Sequence, residues 1–348
     1  MPFISICIPS FNRSELLLPL LDSIRNQDFN DYEIVIAEDC SPDRPSIRAV
    51  SKDFSANYPV SLTYVENEKN LGYDANLRNL IALARGEYVL FLGNDDLLAP
   101  GALSTLFKVL SSQSNIGVVL RSYSSFLTRP EDVVQTFKYF DEDRFFPPSH
   151  ETIVTFFRRC VFISGMVFKR SAALDVATNE FDGTLLYQQY LVGRILDSYS
   201  GFYLHQVISF HRLGGIPDFG SSDSEKGLHT PRQQTLESSV HFMEGMVRIA
   251  KNLDLYNDQI SKDIIKDIAN YSYPILAIQS HLPRGNFITY IRSLAQLDLW
   301  RSPYFLLYSF ALLIFGRIVC DRVILKIKLL LGRSPRLGKF SSGSTLRK

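Results

Sequence analysis

The sequence predicts an α/β chain with an open, mostly parallel sheet flanked by helices, followed by a helical C-terminal extension. Three observations point there. Over the first 120 residues, short apolar, β-branched segments alternate with segments of helical periodicity, as strands buried on both faces do. Polar and acidic residues gather where those strands end, the edge at which open α/β sheets bind ligands. From Thr230 to Leu299 the spacing turns helical, with no detectable repeat.

Each element has its own signature. "FISICIP" (3–9) is a strand; "SELLLPLLDSIRNQ" (14–27) is a helix with Ser14 as N-cap and Leu17, Leu20, Leu21 and Ile24 on one face. Pro19 lacks an N–H and is expected to kink this helix or delay its start. "YEIVIAED" (32–39) and the more polar "VSLTYVEN" (60–67) follow as strands, "GYDANLRNLIALAR" (72–85) as a helix stopped by Gly86, and "EYVLFLG" (87–93) as a fourth strand. Beyond it, 116–127 and 162–170 read as strands around an irregular stretch, 184–199 as a helix, and 201–212 as a strand. Residues 213–227, rich in Gly, Ser and Asp, read as a mobile loop.

Composition bounds the answer. The 348 residues are 46% hydrophobic and 21% charged, a globular chain with ample core. The net charge of +1 conceals an asymmetry: from Arg301 on there are ten Lys/Arg against Asp321 alone, leaving 27 basic and 35 acidic residues before it. The tail therefore has a partner of its own. Cys7, Cys40, Cys160 and Cys320 are scattered, without metal-ligand spacing, and fit a reducing cytosol. "MPFISICIPSF" has neither a basic n-region nor a cleavage site. The boundaries expected are 1–215 for the sheet domain, 216–300 for the loop and helical region, and 301–348 for a basic, apolar tail. Fifteen residues separate Arg301 from Arg317, fewer than the ~20 a bilayer span needs. An interfacial anchor fits best, with a core helix or a true span as alternatives.

The chemistry centres on "FLGNDDLLAPG" (91–101), which places Asn94, Asp95 and Asp96 at a strand end. Such carboxylates suit Mg²⁺ or Mn²⁺, and the ion in turn suits a diphosphate. A turn or helix cap explains adjacent Asp residues equally well on local grounds. Asp39, ending the second strand, tips the balance: its carboxylate suits the imide N–H of a base or a ribose hydroxyl. Arg78 is positioned for a diphosphate or base. There is no G-x-x-x-x-G-K-[ST], G-x-G-x-x-G or G-x-S-x-G, which argues against P-loop NTPases, dinucleotide-binding dehydrogenases and α/β-hydrolases. An acidic body argues against nucleic acid as a partner.

"SICIPSFNR", "YEIVIAEDCSPD", "NLGYDANLRNLIALARGEYVLFLGNDD" and "ISGMVFKRSAAL", in this order over residues 3 to about 212, resemble the successive motifs of family 2 glycosyltransferases of bacterial surface-polysaccharide type. The resemblance implies the GT-A fold and a nucleotide-diphospho-sugar donor. It implies that Pro9, Ser10, Phe11, Asn12 and Arg13 form the loop under the nucleotide, with Asp39 at the base and Arg78 near base and phosphates. Asn94 and Asp95 fall on the D-x-D region, whose first position here is Gly93; Asp95 matches the metal-binding third position, with Asp96 and His211 as further metal ligands. The pattern departs again where a general base is expected. Six residues before Arg194 stands Gln188, whose amide takes no proton, and Asp182 is the nearest substitute, with Asp218 or Asp223 on the loop as others.

The activity implied is metal-assisted transfer of a hexosyl or deoxyhexosyl group to an acceptor hydroxyl, with inversion. Family and tail together point to a lipid-linked oligosaccharide acceptor in O-antigen or capsule synthesis, and to a cytoplasmic enzyme peripheral on the inner face of the membrane. Two rivals stand beside it. One is a degenerate member that binds nucleotide-sugar or glycan without transfer, suggested by Gly93 and Gln188. The other is a sugar-nucleotide pyrophosphorylase, which "PSFNRSE" disfavours for lack of a Gly-rich basic loop.

Overall fold

The computed structural model describes residues 1–330 except 114 and 216, so the basic residues from 331 on lie outside the described residues. The chain divides into two compact units, Met1–Arg232 and from Gln233 on.

The first unit begins β1 (Ile4–Ser10), α1 (Ser14–Arg25), β2 (Tyr32–Glu38), α2 (Arg44–Asn57), β3 (Leu62–Glu66), α3 (Tyr73–Leu83) and β4 (Tyr88–Phe91). After β5 (Leu97–Leu98) and α4 (Ala102–Ser112) come β6 (Ile116–Phe126), β7 (Val133–Phe137), β8 (Arg144–Phe146) and α5 (His150–Phe157). It closes with β9 (Val167–Lys169), α6 (Arg170–Asp175), α7 (Tyr187–Ile195) and β10 (Ser200–Arg212). One sheet runs β3-β2-β1-β4-β9-β6-β10-β5, with β7 beside β6 and β8 beside β10. Pairing is parallel along β3-β2-β1-β4 and between β6 and β10, whereas β9 joins the two sets antiparallel. The expected α/β sheet is thus present, and β1, β2 and β4 all end at one edge.

Ile4, Ile6 and Ile8 of β1, Ile34 and Ile36 of β2 and Leu90 of β4 are fully buried, and Leu17, Leu20, Leu21 and Ile24 of α1 pack on them. Burial on this scale stabilises by ~1.5–3 kcal/mol per large side chain before chain entropy is set against it. Pro19 lies inside α1, which starts at Ser14 without delay. Ser14 is the first helical residue rather than the cap, because Asn12 and Arg13 are both left-handed (φ 57° and 66°) and Asp43 accepts the Ser14 N–H at 2.8 Å. The 162–170 strand is shortened to β9 because Gly165, at φ 87°, turns the chain just before it. The stretch read as irregular contains β7 and β8.

The second unit is helical: α8 (Leu236–Leu253), α9 (Ile260–Asn270), α10 (Tyr273–Gln279), α11 (Arg284–Gln296) and α12 (Pro303–Leu330). The Thr235 hydroxyl caps α8 by accepting the Ser238 N–H at 3.0 Å.

Candidate active site at the sheet edge

The ends of β1 and β4 and the last residues of β10 meet in one cluster. Asn94 donates from Nδ2 to the carbonyl of Asn12 at 3.0 Å, tying the turn after β4 to the loop after β1. The left-handed backbone at 12–13 brings the Arg13 guanidinium onto Asp95, Nη1 to Oδ2 at 2.5 Å. A Cβ on Gly215 would sit 3.1 Å from that same oxygen, so the segment after β10 lies directly over the pair. Asn12 also donates to Asp218 Oδ2 at 3.2 Å, and Arg232 to Asp218 Oδ1 at 2.8 Å. Beside them is a cleft of about 440 Å³ lined by Asn12, Arg13, Glu15, Asp43, Asp218 and Arg232.

The two adjacent aspartates do different work. Asp96 is 2% exposed and its oxygens face inward. Oδ1 accepts from His211 Nδ1 at 3.1 Å and the Arg212 N–H at 3.0 Å, and Oδ2 from the Ser164 hydroxyl at 2.5 Å. Three of its roughly four acceptor positions are thus taken in fastening β10 and the 162–165 turn to β4, beside Asp95 and His211. Asp95 is the more open of the two, its side chain 15% exposed against 3% for Asp96. Burial, and then the charge of Asp96, push its pKa up to about 6 against the opposing charges of Arg13 and His211. Gly93 has its own reason: a Cβ there would meet Asp96 Oδ2 at 3.1 Å and the Ser164 hydroxyl at 3.2 Å, so a carboxylate at this position would crowd that hydrogen bond.

Burial works against a proton on His211, but its hydrogen bond to Asp96 and the charges of Asp96 and Asp95 outweigh it and raise the pKa. A group protonated more readily when folded contributes stability that is complete below the ordinary histidine range and lost as pH rises through its raised pKa. In metal-free buffer the melting temperature should therefore fall as pH rises above the ordinary histidine value of about 6.5, and less steeply in His211→Gln. Equal slopes by differential scanning fluorimetry would refute this.

Among the described residues no three His, Cys, Asp or Glu converge as a ready metal cage. Mg²⁺ does not require one, since it is commonly held by one or two carboxylates together with substrate phosphates. Asp95, with the imidazole of His211 near it, fits such an arrangement.

Asp39 forms the neighbouring corner. It is 4% exposed; Oδ1 accepts from the Leu71 N–H and Asn67 Nδ2, both at 2.8 Å, and Oδ2 from the Gly72 N–H at 2.9 Å. Burial pushes its pKa up, those donors opposing. About one of its roughly four acceptor positions remains. Close by, the buried hydroxyls of Ser10 and Ser41 have no partner among the described residues. Pro9 pairs in register with Ala37, and the Phe11 carbonyl accepts a long 3.4 Å bond from Asn94, so the 9–13 loop is held from both sides.

The remaining candidates stand elsewhere. Arg78 forks onto Asp182 at 2.7 and 2.8 Å and donates to the Thr178 carbonyl at 2.9 Å. A carboxylate held by both arms of a guanidinium is poorly placed to take a proton. Gln188 is 1% exposed; its Oε1 accepts from the Tyr73 hydroxyl at 3.3 Å and its Nε2 donates to the Val161 carbonyl at 2.9 Å, so it braces α7 internally.

Sequence reasoning missed three supports. Asp74, 1% exposed, accepts from the N–H groups of Gly183, Leu185 and Tyr187 at 2.9–3.0 Å and so builds the approach to α7; burial pushes its pKa up to about 7. Glu225 accepts from the Tyr73 N–H at 2.7 Å and the Gly220 N–H at 2.8 Å, seating the 213–227 segment on α3. Arg121, wholly buried, donates to the carbonyls of Ser164 and Phe162. Asp74, in "GYDANLRN", carries one local signal, an acid in the first turn of a helix; the others carry none.

Residues 5–170 match the family described as Glycosyl transferase family 2. A 115-residue stretch is 41% identical to abequosyltransferase RfbV of Salmonella typhimurium, covering 32% of this chain and 34% of that one. A 108-residue stretch is 37% identical to GalNAc(5)-diNAcBac-PP-undecaprenol beta-1,3-glucosyltransferase of Campylobacter jejuni, covering 31% and 34%. The matched part thus spans about a third of the length of these relatives. Among solved structures, S. aureus TarS 1–349 superposes with a TM-score of 0.61 at 17% identity, covering 99% of this chain and 98% of that one, a likeness of fold.

Proposed function

We propose that this chain, whose residues 5–170 match Glycosyl transferase family 2, is a member of that family and transfers a hexosyl or deoxyhexosyl group, with inversion, from a nucleotide-diphospho-sugar to a hydroxyl of a lipid-linked glycan in O-antigen or capsule assembly. The observation that carries this reading is Asp95, a carboxylate just past the C-terminal end of β4 that stays partly exposed where Asp96 is buried, with a cation, Arg13, against it. Asp95 and His211 are the residues that would hold Mg²⁺ or Mn²⁺, which when bound supplies neutralisation of the diphosphate leaving group. Arg13 adds positive charge at the same point. Asp39, with its remaining acceptor position, and the unpartnered hydroxyls of Ser10 and Ser41 suit the nucleoside. The 213–227 segment, seated over Asp95 through Gly215 and on α3 through Glu225, excludes water from the donor.

Proton acceptance from the attacking hydroxyl falls to Asp218, which lines the cleft on the segment covering Asp95. Asp218→Asn is expected to lower kcat about 100-fold or more with donor affinity kept. Asp182→Asn should instead lower the melting temperature, because it leaves Arg78 without its partner. The reverse pattern would return the base to Asp182. The name of the Campylobacter relative, which includes an undecaprenol-linked glycan, supports a lipid-linked acceptor, and the basic, apolar tail supports a site of action peripheral on the inner membrane face.

Gly93 and the internally bonded Gln188 favour one second reading, a member that binds nucleotide-sugar or glycan without transferring. Calorimetry with UDP, dTDP, GDP and CDP, with and without Mn²⁺, tests the donor site. Mn²⁺-dependent tightening for one nucleotide is expected, and silence toward all four would refute it. Sugar-transfer assays with the bound nucleotide's sugars then separate enzyme from binder.

A further inference from the structure

We propose that the outward face of α12 docks flat on an anionic lipid bilayer, in two in-plane segments joined at Gly316; this deepens, and rests on, the reading that the enzyme works at a membrane. One face of α12 is already occupied, since Phe305, Ser309, Leu312 and Cys320 are buried and the helix packs on α9 and α10 of its own unit. The opposite face is not polar. Leu306, Leu307, Phe310, Ile314, Phe315 and Ile318 are each 53–70% exposed. A contiguous apolar surface of this kind marks an interaction site.

The flanks identify the occupant. Trp300 and Tyr304, 53% and 52% exposed, stand at the N-terminal end, the residue types that favour the headgroup boundary. Arg322 and Lys326 are exposed in the second segment. Asp321, the lone acid after Arg301, is taken up by Arg317 at 3.4 Å and the Tyr273 hydroxyl at 2.5 Å. In the sequence Arg333, Arg336, Lys339, Arg347 and Lys348 follow without an acid. Apolar surface beside uncompensated cations suits anionic lipid, and two copies meeting on this face would repel.

Length and composition alone would allow Pro303–Ile327 to cross a membrane. Gly316 decides against it. Its backbone is non-helical (φ 69°, ψ 169°), so it interrupts the hydrogen-bond ladder in the middle of the stretch. A break there would expose backbone N–H and C=O groups to hydrocarbon. The segment before it, from 303 to 315, is about 20 Å long against a core of about 30 Å. Lying in the interface, the break stays within reach of water.

The test is co-sedimentation of the full chain with phosphatidylcholine vesicles, alone or with about a third phosphatidylglycerol, an anionic lipid, followed by an alkaline carbonate wash. Binding that needs the anionic lipid, is released by carbonate and falls at least about tenfold in Phe310→Glu/Ile314→Glu supports the proposal. Binding that survives carbonate would overturn it in favour of a span. Failure to bind any vesicle, with the double variant turning a dimer into a monomer, would overturn it in favour of self-association. The thermal shift given by the donor nucleotide is read on the same samples. Retained shift without vesicle binding removes the docking alone, and vesicle binding without the shift removes the donor-site reading alone.

Discussion

On the proposed function, Asp95→Ala should lose transfer by about 100- to 1,000-fold in kcat while folding as well as the wild type, because it removes the carboxylate that would hold the cation opposite the leaving diphosphate. The stability side follows from the pair it breaks. Arg13 and Asp95 are partly solvated, with side-chain exposures of 21% and 15%, and pairs of this kind contribute at most about 1 kcal/mol. Removing Asp95 also ends its repulsion with Asp96, the interaction that, after burial, pushes its pKa up. The two effects offset each other. Asp95→Asn keeps the shape and removes the charge, and should resemble Asp95→Ala in losing Mn²⁺-dependent nucleotide binding. Transfer at wild-type rate in either variant, followed by product chromatography, would exclude Asp95 from the chemistry and remove the main support of the proposed site.

Arg121→Ala is expected to cost about 3–5 kcal/mol, the range for deleting a large, wholly buried side chain together with its hydrogen bonds. Its Nε and Nη2 hold the Ser164 carbonyl at 2.8 and 2.5 Å, Nη2 holds the Phe162 carbonyl at 2.8 Å, and Ser209 adds a third donor to Ser164 at 2.9 Å. Its guanidinium also lies 5.0 Å from the Tyr123 ring and 5.1 Å from that of Phe162. The charge itself is a burden, since burial lowers the pKa of Arg121. Arg121→Met, which keeps the volume and drops the charge, should therefore be less destabilised than Arg121→Ala in urea denaturation. Both variants loosen Ser164 from Asp96, and so should weaken nucleotide binding in a way that Asp95→Ala does through a different group. Equal stability of Arg121→Ala and wild type would show that the turn before β9 is held by its backbone alone.

Much of the architecture could be read directly. Ile4, Ile6 and Ile8, then Ile34 and Ile36, announce strands because alternation with period two is a local property, and the Leu spacing of α1 announces a helix for the same reason. Asp39 and Asp95 were legible as strand-end acids once the parallel sheet was inferred. β5, β7 and β8, with two to five residues each, are too short to show a period.

By itself, then, the sequence determined the α/β sheet, the edge where its polar residues collect and the resemblance that its order of motifs carries, since each depends on neighbours within a few positions or on order along the chain. The tertiary structure alone decided which of two adjacent acids stays partly exposed. Asp96 is consumed by Ser164, His211 and Arg212, 68 to 116 residues away. It alone clamped Asp182 to Arg78 across 104 residues and sealed Gln188 between Tyr73 and Val161. A carboxylate's chemistry is set by which of its lone pairs are already taken, and those partners are chosen by folding rather than by proximity in the chain.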